Sequence, residues 1–151
     1  MVAGLVMIAD QVTKAVILNT LPLFHSIPVI PGFFSITHIQ NPGGAFGFMS
    51  HQHSSVRSIL FVLITAIAMV LIFFLYKNIP RTHPILATGF ALIFGGAVGN
   101  LIDRIRFGKV VDFLDLYVGK WHWPAFNVAD SAITVGMVIF VVHLVFKKMP
   151  E

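Results

Sequence analysis

The stretch Val56-Arg-Ser-Ile-Leu-Phe-Val-Leu-Ile-Thr-Ala-Ile-Ala-Met-Val-Leu-Ile-Phe-Phe-Leu-Tyr76 decides the fold class of this chain. From Ile59 to Tyr76 it contains no charged residue. A helix that crosses a bilayer needs about 20 mostly apolar residues, because each residue adds about 1.5 Å along the axis. The stretch therefore predicts a transmembrane helix.

The composition of the whole chain agrees with a membrane protein. Of its 151 residues, 57% are hydrophobic and only 11% are charged, whereas soluble domains carry about 25% charged residues. The Lys and Arg residues behind the net charge of +4 are scattered, which argues against a nucleic-acid partner. The chain has no cysteine, which excludes disulfides, cysteine nucleophiles and thiolate metal sites. We interpret residues 1–151 as one polytopic membrane domain.

Three further apolar segments complete the predicted membrane topology. The four spans lie at about 1–19, 56–76, 84–101 and 128–146, and two long loops lie at about 20–55 and 102–127. An even number of spans places both long loops on one side of the membrane and both termini on the other. The counts of Lys and Arg on the two sides do not orient the chain. In the third span, Gly95 and Gly99 have the small-xxx-small spacing that lets helices approach closely.

The first span is unusual because Asp10 interrupts it. The nine residues before Asp10 cover only about 14 Å as a helix, which is half a bilayer. Either Asp10 lies in the middle of the membrane, or the native protein has further residues before Met1. We expect the second, and intact-mass analysis of the native protein distinguishes the two.

The long loops contain two predicted strands. Aromatic and β-branched residues mark Phe33 to Gln40 and Val110 to Tyr117. The first segment is followed by the turn signal Asn41-Pro-Gly-Gly44. After the second, Trp121 and Trp123 fit the aromatic belt of a membrane interface on the side of the long loops.

Two aspartates in hydrophobic surroundings are the leading candidates for chemistry. The chain has six acidic residues, and ionisable groups at a bilayer are costly enough to suggest a function. If Asp112 and Asp130 meet, they would share one proton, so that one activates water and the other protonates a carbonyl oxygen. Simpler alternatives remain open: Asp130 could only cap a helix, and Asp112 could be a polar residue of an exposed strand.

Other polar residues could support such a pair. Asn127 can cap the fourth helix with Asp130 at the third helical position, which resembles a capping box. Asn100 and Arg104 share a helix face and could orient the carboxylates and a substrate carbonyl, while we expect Asp103 to point elsewhere. The alternative for Asn100 and Arg104 is a polar clamp between helices plus an interfacial arginine.

Asp10 and Lys14 form an i, i+4 pair in the favourable order. Such a pair can simply neutralise two buried charges, or it can belong to an ion path.

His51 and His53 are weak candidates for metal ligands. Ser131 and His143 lie about 18 Å apart along one helix, so they cannot form a nucleophile–base pair.

Five short motifs, taken in order, resemble those of bacterial lipoprotein signal peptidase (signal peptidase II). They are Asp10-Gln-Val-Thr-Lys14, Asn41-Pro-Gly-Gly-Ala-Phe-Gly47, Gly99-Asn-Leu-Ile-Asp-Arg104, Val110-Val-Asp-Phe113 and Phe126-Asn-Val-Ala-Asp130. Each motif alone is weak, but their order between four apolar spans is highly specific. The resemblance covers nearly the whole chain.

The resemblance implies an aspartyl protease of the bacterial inner membrane. Such enzymes cut prolipoproteins just before a diacylglyceryl-modified cysteine. The catalytic pair maps to Asp112 and Asp130. Positions that support the site or hold the substrate map to Asp10, Lys14, Asn41, Gly43, Asn100, Arg104 and Asn127.

The family fold implied for the chain is a mainly α membrane protein. It has four transmembrane helices and a small extracytoplasmic β-cradle built from the two long loops. The termini would be cytoplasmic, with the aspartates near the outer surface. We expect a monomer whose partners are prolipoproteins and membrane lipids, without nucleic acid, metal or organic cofactor.

The chain departs from the family pattern in two places. Its first helix is shorter, and Pro42 and Gly44 stand where the family often has other small residues. Gly44 should make that loop more flexible, without loss of activity. The polar residues also allow two other function classes. A transporter could use Asp10, Lys14, Asp103 and Arg104 as a relay, but four spans without an inverted repeat disfavour it. In an assembly protein, Asp→Asn changes at 112 and 130 would mainly lower thermal stability.

Overall fold

The computed structural model describes residues 1–43 and 54–146 of the chain, with side chains in the second range from residue 56 onward. The helices are α1 (Val2–Thr20), α2 (Ser54–Lys77), α3 (Pro84–Phe107) and α4 (Val128–Phe146). The strands are β1 (Ser26–Ile30), β2 (Phe34–Asn41), β3 (Val110–Val118) and β4 (Trp121–His122). All four helices are long and apolar enough to cross a membrane. The predicted fold class is therefore confirmed.

One predicted boundary was wrong. We placed the end of the third span near residue 101, but α3 continues to Phe107. It stops at Gly108, whose left-handed backbone (φ 68°) lets its N–H donate to the carbonyl of Arg104, an arrangement that glycine adopts without steric cost. The extension matters because Asp103 and Arg104 lie on the helix rather than in a loop.

The sheet is antiparallel, with strand order β1-β2-β3-β4. The two predicted strands match β2 and β3 to within one residue at each end. Neither β4 nor β1, which contains Pro28, was predicted from the sequence. Because β1 is the edge strand, the missing N–H of this proline removes no central ladder hydrogen bond.

A small apolar core fixes the sheet to the helices. Ile17 of α1 packs with Val111 and Phe113 of β3, and all three are buried. Partly buried side chains surround them, namely Leu18, Ile36, Leu114 and Val128. Burial of a side chain of this size contributes roughly 1.5–3 kcal/mol, so this cluster holds β3 against the C-terminal end of α1.

The central helix α3 packs against the other three helices, and its glycines permit the close approach. A Cβ at Gly95 would lie 2.6 Å from the carbonyl oxygen of Ala3, and one at Gly99 would lie 2.5 Å from Oδ2 of Asp10. The small-xxx-small pair therefore faces α1 of the same chain. By contrast, no residue in the described part of α2 is buried, as expected of a helix that faces lipid.

Gly136→Ala should destabilise the bundle. A Cβ at Gly136 would lie 2.5 Å from the carbonyl oxygen of Gly89, and backbone cannot move aside without separating α3 from α4. We expect a loss of about 1–3 kcal/mol, the usual range for overpacking, measured as a lower Tm in detergent. Gly4→Ala is the control, since nothing lies within 4 Å of its Cβ position. Equal Tm values for the two variants would contradict this packing.

Candidate active site

The first turn of α4 is closed by Asn127 and Asp130. Oδ1 of Asn127 accepts the backbone N–H of Asp130 at 2.9 Å, and the backbone N–H of Asn127 donates to Oδ2 of Asp130 at 3.3 Å. This reciprocal arrangement is the predicted capping box. It leaves the Asn127 amide nitrogen available for other acceptors.

Asn127 also reaches the second aspartate. Its Nδ2 donates to Oδ1 of Asp112 at 2.7 Å, and Nδ2 of Asn41 donates to the other oxygen, Oδ2, at 3.0 Å. A hairpin-like return of the chain makes this contact possible, because Phe126 and Leu114 pair through backbone hydrogen bonds of 2.8 and 3.0 Å. One carboxamide therefore contacts both Asp112 and Asp130.

The surroundings of Asp112 favour its protonated form. Burial raises the pKa of its carboxyl group to about 7, with a further contribution from the nearby charge of Asp130. Hydrogen bonds from Asn41 and Asn127 and the charge of Lys14 oppose this rise. A carboxyl that is partly protonated near neutral pH, beside a second carboxylate, can take part in acid–base chemistry on water.

Asn100 of α3 is the second amide at the site. Its Nδ2 donates to Oδ1 of Asp130 at 2.7 Å. Its Oδ1 accepts from Nζ of Lys14 at 2.9 Å and from Nδ2 of Asn127 at 3.2 Å. Asn100 thereby connects the aspartate pair to a buried ion cluster on α1 and α3.

That cluster consists of Asp10, Lys14 and Asp103, each no more than 2% exposed. Nζ of Lys14 lies 2.8 Å from Oδ2 of Asp10, which confirms the predicted pair, and 3.0 Å from Oδ2 of Asp103. The expectation that Asp103 points elsewhere was wrong. Residues three apart on a helix are also neighbours, so Asp103 and Asn100 both reach Lys14.

The cluster also joins the secondary structure elements. Oδ1 of Asp10 accepts the backbone N–H of Ala129 at 2.9 Å, where the positive end of the α4 dipole favours a negative charge. Oδ2 of Asp103 accepts the backbone N–H of Val111 at 3.0 Å. Gln11 donates to Oδ1 of Asp103 at 2.9 Å. These contacts fix α1, α3, β3 and α4 to one another at the level of the aspartate pair.

Arg104 lies on α3 one turn after Asn100, near the pair. It makes no ion pair with a carboxylate in residues 1–43 and 54–146. Its guanidinium lies over the ring of Phe61, 5.2 Å from the centroid, a distance typical of a cation–π contact. Arg104 thus borders the pair without binding it directly.

Phe61 also forms the wall beside Gly43. The backbone N–H of Gly43 donates to Oδ1 of Asn41 at 2.9 Å, which holds the Asn41 side chain toward Asp112. Gly43 has φ of 100°, and a Cβ there would lie 2.5 Å from the Phe61 ring. The position of Phe61 at the site was not predicted, since nothing distinguishes this residue within the apolar stretch of α2. The remainder of this motif, from Gly44 to Gly47, lies outside the described residues, as do His51 and His53.

Three further polar side chains contact groups other than the two carboxylates of the pair. Ser131 donates to the carbonyl oxygen of Asn127 at 2.9 Å, while His143 packs against the ring of His83 with a centroid distance of 5.6 Å. Asp115 contacts His122 on the sheet. Within the described ranges, no group of three or more His, Asp or Glu side chains could hold a metal ion.

Comparison with known proteins matches nearly the whole chain. The family model for "Signal peptidase (SPase) II" matches residues 2–146. The lipoprotein signal peptidase of Desulforapulum autotrophicum is 54% identical over 151 residues, covering 100% of this chain and 93% of the relative. That of Syntrophus aciditrophicus is 48% identical over 147 residues, covering 97% and 91%.

A solved structure shares both the fold and part of the sequence. It is described as a bacterial membrane enzyme structure obtained by the in meso method at 2.3 Å resolution. It superposes with a TM-score of 0.84 at 34% identity, covering 99% of this chain and 91% of the other. The family model, the relatives and the fold lead to the same conclusion: this chain belongs to the signal peptidase II family, whose members are proteases that process lipoproteins.

Proposed function

We propose that this protein is an aspartyl endopeptidase that cleaves prolipoproteins immediately before a diacylglyceryl-modified cysteine. The observation that carries the proposal is the single carboxamide of Asn127, which contacts both Asp112 and Asp130. Family membership supports the lipoprotein substrate. The contacts of Asn127 with the Asp112 carboxylate and with the backbone N–H of Asp130 support the chemistry.

In the proposed mechanism the two aspartates have different tasks. Asp112 keeps its proton because its pKa is raised to about 7, so it is the acid. Asp130 accepts hydrogen bonds from Asn100 and from the backbone of Asn127, and these donors stabilise the carboxylate that serves as the base.

The peptide bond is hydrolysed in two steps. Asp130 removes a proton from water as the water oxygen attacks the scissile carbonyl carbon, and Asp112 gives its proton to the carbonyl oxygen. The gem-diol collapses when Asp112 recovers a proton and Asp130 protonates the leaving nitrogen. The C–N bond breaks, which leaves a new carboxyl group on the signal peptide and a free amine on the lipidated cysteine.

The position of the site suits a lipid-anchored substrate. The pair lies where the C-terminal half of α3, the N-terminus of α4 and strand β3 meet, at one end of the apolar helices. A diacylglyceryl group would remain in the bilayer while the scissile bond reaches this depth. We place the protein in the bacterial inner membrane, with this end outside and the termini in the cytoplasm.

We propose a monomer, because Gly95 and Gly99 face α1 of the same chain.

The contacts of the ion cluster disfavour the transporter alternative. Lys14 is held by Asp10, Asp103 and Asn100, so its ammonium protons already have acceptors. A proton relay through this group would have to break those contacts in a low-dielectric environment, at considerable cost.

Asp112→Asn and Asp130→Asn should each reduce the rate of signal-peptide release by about 10²–10⁴-fold or more, the range for loss of an acid or base. The assay is gel-shift cleavage of a lipidated prolipoprotein in detergent, with Tm measured in parallel. Asp115→Asn is the matched control on the same strand, because Asp115 pairs with His122 away from the site. Near wild-type cleavage by either site variant would refute the mechanism. A fall in Tm without loss of rate would indicate an assembly role.

The rate should also depend on the protonation of Asp112. Its acid form is present below about pH 7, the value to which the pKa of Asp112 is raised, and is lost above it. We therefore expect kcat/KM to fall as the pH rises through this value. A rate that keeps rising well beyond pH 7 would show that Asp112 is not the acid.

Asn41→Ala should move this descending limb to higher pH. Asn41 donates to Asp112 and favours its ionised form, so removal of the donor raises the pKa of Asp112 further. The control is Asn19→Ala, since Asn19 is exposed on α1 and bonds only the carbonyl of Ala15 in the described structure. If the limb stays in place in Asn41→Ala, this hydrogen bond does not control the proton.

A further inference from the structure

The ammonium group of Lys14 has more partners than charge balance requires. It contacts Asp10 at 2.8 Å, Asp103 at 3.0 Å and Asn100 at 2.9 Å. An ammonium has three protons, so each proton has one acceptor. Two of these acceptors are carboxylates, which already exceed the charge of one lysine. The third is a neutral amide that leads to the catalytic pair.

The contact with Lys14 determines which way the Asn100 amide faces. Oδ1 of Asn100 receives hydrogen bonds from Lys14 and Asn127, and its Nδ2 donates to Asp130. If the amide were rotated by 180°, its NH₂ group would face two other donors. Its carbonyl oxygen would then face the Asp130 carboxylate. Both contacts are repulsive, so the donors at Oδ1 select the orientation that holds Asp130.

We propose that Lys14 is a positioning residue of the reaction, which acts through Asn100 to hold the Asp130 carboxylate where it can accept a proton from water. This inference rests on the proposed aspartate-pair mechanism. Lys14 touches neither aspartate of the pair in the described structure, and its nearest charges are Asp10 and Asp103. Its charge also acts on Asp112 at longer range, and the proposed positioning role is the part that passes through Asn100.

The alternative is that Lys14 only neutralises Asp10 and Asp103. Lys14→Met alone does not separate the two ideas, because two buried carboxylates without a cation destabilise the protein in either case. Lys14→Met combined with Asp103→Asn removes one positive and one negative charge, so the formal charge of the cluster stays at −1. Asp103→Asn alone is the reference for this double variant.

The test measures kcat, KM and Tm with a lipidated prolipoprotein. Relative to Asp103→Asn, the double variant should lose kcat by about tenfold or more, since small misplacement of a reacting group is costly. KM should change little, because substrate contacts are kept, while Tm should fall because the buried Asp10 carboxylate loses its cation, so kcat is compared per folded protein. A double variant with the kcat of Asp103→Asn would overturn the proposal and leave Lys14 a purely structural role.

A double-mutant cycle with Asn100→Ala tests whether Lys14 acts on Asp130 through Asn100. If Lys14 acts through Asn100, adding Lys14→Met to a variant that already carries Asn100→Ala and Asp103→Asn should lower kcat by less than about twofold further, since coupled residues are not additive. Losses that multiply in full would show that Lys14 acts independently of Asn100, and would overturn the proposal.

Lys14→Gln combined with Asp103→Asn provides a rescue. Its charge equals that of the Met variant, but its amide retains an N–H donor. We expect a higher kcat per folded protein than in the Met variant. If the Met variant does not insert, the Gln variant replaces it in the comparison with Asp103→Asn. The proposal would then be overturned if the Gln variant had the kcat of Asp103→Asn and its effect were additive in the Asn100→Ala background.

Asp112→Asn and Asp130→Asn are assayed in the same series. If they still cleave, the aspartate-pair mechanism fails. If they are inactive while the charge-matched Lys14 variant matches Asp103→Asn, only the Lys14 inference fails.

Discussion

The Asn127 carboxamide is the contact on which the rest of the site depends. It is fully buried, donates to Asp112 and Asn100, and accepts the backbone N–H of Asp130. In a low-dielectric interior such a network is strong when every member has a partner and costly when one is lost. The two aspartates come from different elements, β3 and α4, so a shared partner is what gives them a common geometry.

The surrounding fold brings those elements together at the end of an apolar bundle. Glycines on α3 allow α1 and α4 to approach its backbone, and the apolar cluster around Val111 holds β3 against α1. The ion cluster of Asp10, Lys14 and Asp103 then ties α1 and α3 to backbone N–H groups of α4 and β3. Helix packing and polar contacts therefore specify the same position for the pair.

Much of this architecture was predictable because its signals are local. Apolar length identified the four spans, and β-branched and aromatic residues identified β2 and β3. Asn127 and Asp130 lie three apart, so the capping box was also predictable. The roles proposed for Asp112 and Asp130 came from the family resemblance, since spacing alone left structural alternatives open. Long-range contacts were not predictable: nothing in the chain indicated that Phe61 would lie between Arg104 and Gly43, or that Asp103 would reach Lys14.

The most direct test of the account is cleavage of a diacylglyceryl-modified prolipoprotein beside its unmodified twin by the wild-type protein in detergent. Gel shift and intact-mass analysis of both products would be read together. The account predicts cleavage of the lipidated substrate only, with a product that begins at the modified cysteine. Equal cleavage of the unmodified twin, or a cut elsewhere in the chain, would contradict it.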